Sequence, residues 1–329
     1  MVVSLDDAPF VRHPLHYYED GNIVLVVQNT VFRVYRGVLT HQSEVMRDLF
    51  SIAHPTESTG DLPGTHGGAP VIRLVEDDAL DFSQTLDRLF PQYSADAPPT
   101  DRVPTFDNLA AVGRIARKYI MVDLEKWVIK HLTLQFPHTL AHIRAEPTLK
   151  ALMNPKVAAQ LIVLSRLLEC DQLLPLAFFS LQTSFVNKNS QLYREALLLL
   201  SHRDLARLMQ GTIALQEVYA EASRKKQNQL NRFSKTSGCT CLDKNASSAV
   251  YASLVTGATF SGLQPAALRR RAKKKDLCEA CLTDVGLVSI GFDETIFATL
   301  PKAFDLPSNT VLPACATSNV DTYFLMFGS

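Results

Sequence analysis

Residues 17–50 read YYEDGNIVLVVQNTVFRVYRGVLTHQSEVMRDLF, two short apolar strands around a polar turn that run straight into an amphipathic helix. In the first strand Ile23, Leu25 and Val27 alternate with Val24 and Val26, so both faces are apolar and the strand is expected to be covered on both sides. Gln28-Asn29-Thr30 makes the turn. From Val31 to Tyr35 the pattern alternates, with Phe32 and Val34 on one face and Arg33 and Tyr35 on the other. The period then changes to that of a helix. Val38, Gln42, Val45 and Leu49, flanked by Leu39, Met46 and Phe50, form one broad stripe at spacings of three and four, which predicts a single helix from Val38 to Phe50. No catalytic residue type is needed to explain this segment, and its order points to a domain that holds other proteins.

Outward from this segment, residues 51–70 are rich in Gly, Pro, Ser and Thr and read as a loop, followed by a strand from Val71 to Val75 and a short helix from Leu80 to Phe90. A second loop, 91–104, carries Pro91, Pro98, Pro99 and Pro104. Thr105 is a fitting cap for a helix reaching Lys118, and another helix starts near Asp123 and ends before Pro137. His131 lies at the edge of that last apolar stripe and reads as a packed or hydrogen-bonded residue. From Pro147 to about Arg224 the pattern is purely helical, with helices expected at 157–169, 173–186, 192–201 and 204–223. The run Leu197 to Leu200 reads as core. A last helix is expected from about Cys281 onward, carrying Ile296, Phe297 and Leu300 and ending before Pro301.

Composition narrows the class. The chain has 329 residues, 47% hydrophobic and 20% charged, enough for two or three domains with proper cores. Lys plus Arg equals Asp plus Glu at 33 each, so there is no global field favouring nucleic acid or an anionic membrane, and any such attraction must be local. The N-terminal residues, with Asp6 and Asp7 among them, do not read as a secretory signal, and no apolar run approaches the roughly 20 residues of a membrane helix. Six cysteines, four of them in close pairs, favour a reducing compartment and a cytoplasmic or nuclear location.

The sequence order strand, turn, strand, helix, loop, strand, helix, loop, helix, helix over residues 17–135 resembles the BTB/POZ domain. DGNIVLVV at 20–27, Phe32, Val34, the Arg36-to-Leu39 segment, Ser43 and Phe50 carry the resemblance. DGN, the VFRVYR strand, PTFD at 104–107 and a late CxxC occur in this order in a large group of fungal BTB-domain proteins, which the chain also resembles. The resemblance implies an α+β fold, a small sheet with packed helices, followed by a mainly α-helical C-terminal region. It divides the chain into an N-terminal arm (1–16), a BTB/POZ domain (17–136) with loops at 51–70 and 91–104, a helical region (137–223), a basic cysteine-containing region (224–301) and a tail (302–329). Aligned on Leu25 and Phe32, Asn22 replaces the aspartate of many animal members and Tyr35-Arg36 replaces their His-Lys pair. An Asn-to-Arg contact is a singly charged version of that cluster, so the family's homodimer is not carried over. The resemblance implies a non-enzymatic interaction or adaptor protein whose partners are other proteins, among them a cullin-type ubiquitin-ligase scaffold or a second copy. The helix from Val38 to Phe50 and the helical region behind it are where a scaffold contact is expected.

Cys239, Cys241, Cys278 and Cys281 have the type and spacing of two zinc half-sites, because closely spaced thiolates converge on one tetrahedral ion; free thiols are the alternative. Coordination would also supply folding free energy to a segment poor in apolar periodicity. Cys170 and Cys315 stand apart from these pairs. The basic runs Arg224-Lys225-Lys226 and Arg269 to Lys275 fit a solvated charged face, an import signal or, with least support, direct nucleic-acid contact. A zinc-containing nuclear regulator that touches DNA through this region is the rival function. No Gly-rich phosphate loop, nucleophile elbow or HExxH motif is present, and four cysteines would fill a zinc shell and leave no open catalytic position.

Overall fold

A computed structural model describes residues 10–52, 65–66, 68–90, 103–136, 138–139, 154–186, 190–233 and 294–307. The architecture is mixed α+β, and the chain divides into two compact units, Met1–Leu134 and Gln135–Ser329.

The first unit is built on a sheet of strands β1 (Val11–Tyr17), β2 (Ile23–Val27), β3 (Thr30–Val34), β4 (Thr65–His66) and β5 (Ala69–Leu74), in the order β1-β3-β2-β5-β4. β2 pairs antiparallel with β3 through a tight turn and parallel with β5. All five β2 side chains are buried, as their unbroken apolar run predicts. On one face Val24, Val26, Val31 and Ala69 form a small cluster closed by Phe10, Tyr17 and Val71. Arg12 lies over the Tyr17 ring at 4.7 Å and Arg73 over Phe10 at 5.9 Å, so two cations shield the rim of this cluster. The opposite face carries Ile23, Leu25, Phe32 and Val34 among the fully buried residues, and Phe82 meets Phe32 edge to face at 5.4 Å.

Residues 11–17 are therefore part of the sheet, which moves its start back into the segment read as an arm. The second apolar face of β2 has to be covered, and Phe10 and Tyr17 cover it. β1 runs parallel to β3, with Val11 opposite Thr30, Arg12 opposite Val31 and Tyr17 opposite Arg33. Five residues of β1 thus span two of β3, a bulge that accommodates Pro14, which has no N–H for a ladder.

The predicted helix from Val38 to Phe50 is two helices, α1 (Arg36–Gln42) and α2 (Glu44–Ile52), broken at Ser43 (φ −147°, ψ 122°). The apolar spacing continues through the break, so periodicity alone did not reveal it. Ser43 Oγ accepts from the N–H of Met46 at 3.0 Å, capping α2, and donates to the carbonyl of Tyr119 at 2.5 Å. Asn22 meets Arg36 through the main chain: its Oδ1 accepts from the Arg36 N–H at 2.7 Å and caps α1, whose own N-cap residue, Tyr35, makes no side-chain cap bond. Within the DGN triplet, Gly21 is packed so closely that a Cβ there would lie 2.9 Å from Arg33 Cγ and 3.0 Å from its carbonyl carbon.

The loop expected over 51–70 gives up its end to the β4–β5 hairpin, in which Thr65 faces Pro70 and His66 faces Ala69; Gly68 takes φ +76° near the turn. Helix α3 (Ala79–Leu89) is capped by Asp78, which accepts from the N–H groups of Leu80 and Asp81. Helix α4 (Phe106–Lys118) starts with a capping box between Thr105 and Asn108, and α5 (Val122–Gln135) buries Leu124, Val128 and Leu132.

The second unit contains α6 (Pro155–Leu167), a 3₁₀ turn (Asp171–Leu173), α7 (Leu174–Val186), α8 (Ser190–Leu198), α9 (His202–Phe233) and α10 (294–303). Asn154 caps α6, with Pro155 in its first turn. α7 buries Leu174, Leu176, Ala177, Phe178, Phe179 and Leu181, which is why its sequence has no polar face. Only part of the Leu197 to Leu200 run is core: Leu200 is buried, whereas Leu198 is 86% and Leu199 43% exposed. The run crosses the end of α8 at Leu198, and neither the roughly 100° step of its helical part nor the turn after it keeps four side chains on one face.

The predicted start near Cys281 lies outside the described residues; α10 continues through Pro301, across the 301/302 boundary drawn between the basic region and the tail. It is held by shape. Phe304 stacks on Phe178 with centroids 5.2 Å apart and occupies the space where a Cβ on Gly211 of α9 would lie, only 2.0 Å from its Cδ1. Arg207 Nε donates to the Asp305 carbonyl at 3.2 Å, and Arg166 joins Asp204 and Asp171 in a half-buried ionic network.

Candidate interaction surface

Three places in the first unit gather polar or aromatic side chains. The first is the β1 bulge. His16 is fully buried; its Nε2–H donates to Asp87 Oδ1 of α3 at 2.7 Å and its Nδ1 meets the Tyr18 hydroxyl at 3.1 Å. His13 Nδ1 accepts from the N–H groups of Leu15 (3.3 Å) and His16 (3.0 Å), so the proton sits on Nε2, which donates to Ser83 Oγ at 3.0 Å. That tautomer presents Ser83 with a donor. A general base would have to present it with a lone pair, so the pair is positioned as a structural tie.

The second place is a shallow cleft of about 410 Å³ between Gln28 and residues 73–78. Two of its three carboxylates, Asp77 and Asp78, are already engaged, and the third, Glu76, is exposed. Asp77 accepts from Lys118 Nζ at 2.8 Å and from the Tyr119 hydroxyl at 2.5 Å, and Asp78 caps α3. Burial, followed by the bond to Asp77, pushes the Tyr119 phenol well above its ordinary value. Nearby, Asp81 receives two bonds from Arg114 at 2.5 and 2.6 Å, and this hydrogen bonding raises the guanidinium's pKa further.

The third place lies across α3 and α5. Trp127, the chain's one tryptophan, is half-buried between the Arg88 guanidinium, 5.0 Å from its ring centre, and the His131 ring at 4.5 Å. His131 Nδ1–H donates to the Trp127 carbonyl at 2.8 Å, the hydrogen-bonded role read for it from the sequence. Leu134, one further turn along the same face, is 63% exposed. Tryptophan and arginine are the side chains most enriched among those that dominate binding energy. By contrast, α1 and α2 turn His41, Glu44, Arg47, Asp48 and Ser51 to solvent, a polar face. The α3–α5 face is thus the better-formed candidate surface, and its signal in the sequence was Trp127, His131 and Leu134 at spacings of four and three.

The proposed zinc ligands Cys239, Cys241, Cys278 and Cys281 and the basic run 269–275 lie outside the described residues; residues 224–226 fall within α9, whose side chains are not described there. Among the described residues no group of three or more His, Cys, Asp or Glu is placed to hold a metal ion. Cys170 is buried, and burial pushes its thiol pKa up. Among the described residues no helix is long and apolar enough to cross a membrane. Compared with models of known protein families the chain matches none, and no curated protein matches it in sequence.

Proposed function

We propose that this chain is a non-enzymatic protein-interaction or adaptor protein acting through a BTB/POZ-type domain in the first unit, in the cytoplasm or nucleus. The observation that carries the reading is the path of the chain. An antiparallel β2–β3 hairpin leads into the helix pair α1–α2; β5 returns parallel to β2; α3 and the α4–α5 pair follow. This is the order of elements that the sequence resemblance implies. The half-buried Trp127 between Arg88 and His131 supplies the recognition face, and a cullin-type ligase scaffold or a second copy of the chain are the partner classes the resemblance implies.

Affinity purification of the full chain with mass spectrometry, wild type against Trp127→Ala, tests this. A cullin or other partner enriched with wild type and lost with Trp127→Ala supports both the function and the surface. Partners retained by the variant move the surface elsewhere, and a wild-type chain that enriches nothing over an unrelated control sinks the adaptor reading.

A further inference from the structure

We infer that strand β1 is a pH-gated latch: its seat against β3 and α3 requires a neutral imidazole at His13, and protonation of Nδ1 releases residues 11–17 while the sheet beneath stays folded. The seat is pinned at its ends by Val11 N–H to the Asn29 carbonyl (2.9 Å) and Tyr18 N–H to the Arg33 carbonyl (2.8 Å). Between these pins the ladder is interrupted by the bulge around Pro14, and His13 takes over. Its Nδ1 lone pair holds the N–H groups of Leu15 and His16, shaping the bulge, while Nε2–H reaches Ser83 on α3. A proton on Nδ1 removes that acceptor and aims an N–H at two N–H groups, costing both this bond, the half-buried one at His16 most.

The surroundings oppose that proton. Phe32 of β3 stacks on the ring at 4.9 Å, and His16 of β1 stacks at 5.1 Å. From α3 come Ser83 and Asp87, the latter bonded to His16, whose other nitrogen meets Tyr18. Desolvation comes first and the proximity of His16 second in lowering the His13 pKa below 6.5, with Asp87 acting weakly the other way. A released strand titrates near 6.5. Below that pH the open form binds a proton that the seated form does not, so opening becomes easier as pH falls. With the seated ring neutral throughout, the gain at pH 5.5 is at most about tenfold. Release uncovers the edge of β3 and the cluster beneath Phe10 and Tyr17, a strand-pairing edge and an apolar patch together.

Hydrogen-exchange mass spectrometry of the full chain at pH 7.5 and 5.5, corrected for intrinsic exchange rates, reads the latch directly. Peptides covering 11–18 should lose protection, by up to about tenfold, while those covering β2 do not change. In His13→Asn the side-chain oxygen can accept the same two N–H groups and does not titrate, so protection of β1 should persist at both pH values. Imidazole ¹⁵N shifts of the wild type should show His13 as the Nε2–H tautomer at pH 7.5. Flat protection of β1 in wild type, unchanged pH dependence in His13→Asn, or a proton on Nδ1 at pH 7.5 would each overturn the latch.

Discussion

The two units are keyed together internally in different ways. In the first, elements distant in sequence are tied by buried or half-buried directional bonds: Ser43 to the Tyr119 carbonyl, Tyr119 and Lys118 to Asp77, Arg114 to Asp81, His16 to Asp87. In the second, α7 is apolar nearly all round and α10 is held mainly by the fit of Phe304 against Gly211 and Phe178. Directional ties make a unit sensitive to single polar atoms and to pH. Steric fit makes it sensitive to volume.

The largest expected effect tests the second half of that contrast. Phe304→Ala should destabilise the second unit by about 3–5 kcal/mol in chemical denaturation followed by far-UV circular dichroism, since it empties a fully buried aromatic site. Gly211→Ala should cost about 1–3 kcal/mol by overpacking, and that cost should largely vanish in the Phe304→Ala background. Additive effects would show that the notch does not hold the ring.

Ser43→Ala should cost the first unit about 1–3 kcal/mol, because it removes the α2 cap and leaves the Tyr119 carbonyl without that donor. Trp127 lies in the first unit, so its fluorescence reports that unit's unfolding. A loss below about 0.5 kcal/mol would mean that Ser43 only marks the break between α1 and α2.

Tyr119 gives the alkaline counterpart. Its folded pKa is raised, so above pH 10 the unfolded chain loses a proton that the folded chain keeps, and stability falls as pH rises. Below pH 10 this contribution is fully present. Tyr119→Phe should therefore lose stability at neutral pH, by about 1 kcal/mol, while flattening the decline above pH 10 seen by Trp127 fluorescence. An unchanged alkaline decline would assign it to other groups.

The smallest effect is a gain. α4 ends with Ile120 in the left-handed region (φ 51°), where the Met121 N–H bonds the Ala116 carbonyl at 2.8 Å. Ile120 is 58% exposed and β-branched, so the strain is not offset by full burial. Ile120→Gly should stabilise the first unit by up to about 1 kcal/mol in the same fluorescence assay. A loss would mean that the side chain contributes more by contact than its backbone conformation costs.

Much of the first unit was legible because its patterns are local. The doubly apolar β2, the alternating β3, the Thr105 cap and the stripes of α4 and α5 can each be read within a window of ten residues. The break at Ser43 and the recruitment of residues 10–17 were not legible, since each depends on atoms outside its own window: the Tyr119 carbonyl for one, the second apolar face of β2 with Ala69 and Val71 of β5 beside it for the other. The candidate surface was half visible. Trp127, His131 and Leu134 share a helical face in the sequence, but Arg88 comes from another helix and only folding places it over the indole.

By itself the sequence determined element type, most helix positions and the need for a strand covered on both sides, because these follow from hydrophobic period and backbone preference within a short window. Tertiary structure decided which segment covers that strand, where α1 ends and α2 begins, which tautomer His13 adopts and why Gly211 has no side chain. Each of these is set by an atom contributed from elsewhere, and no local pattern encodes the distance to it.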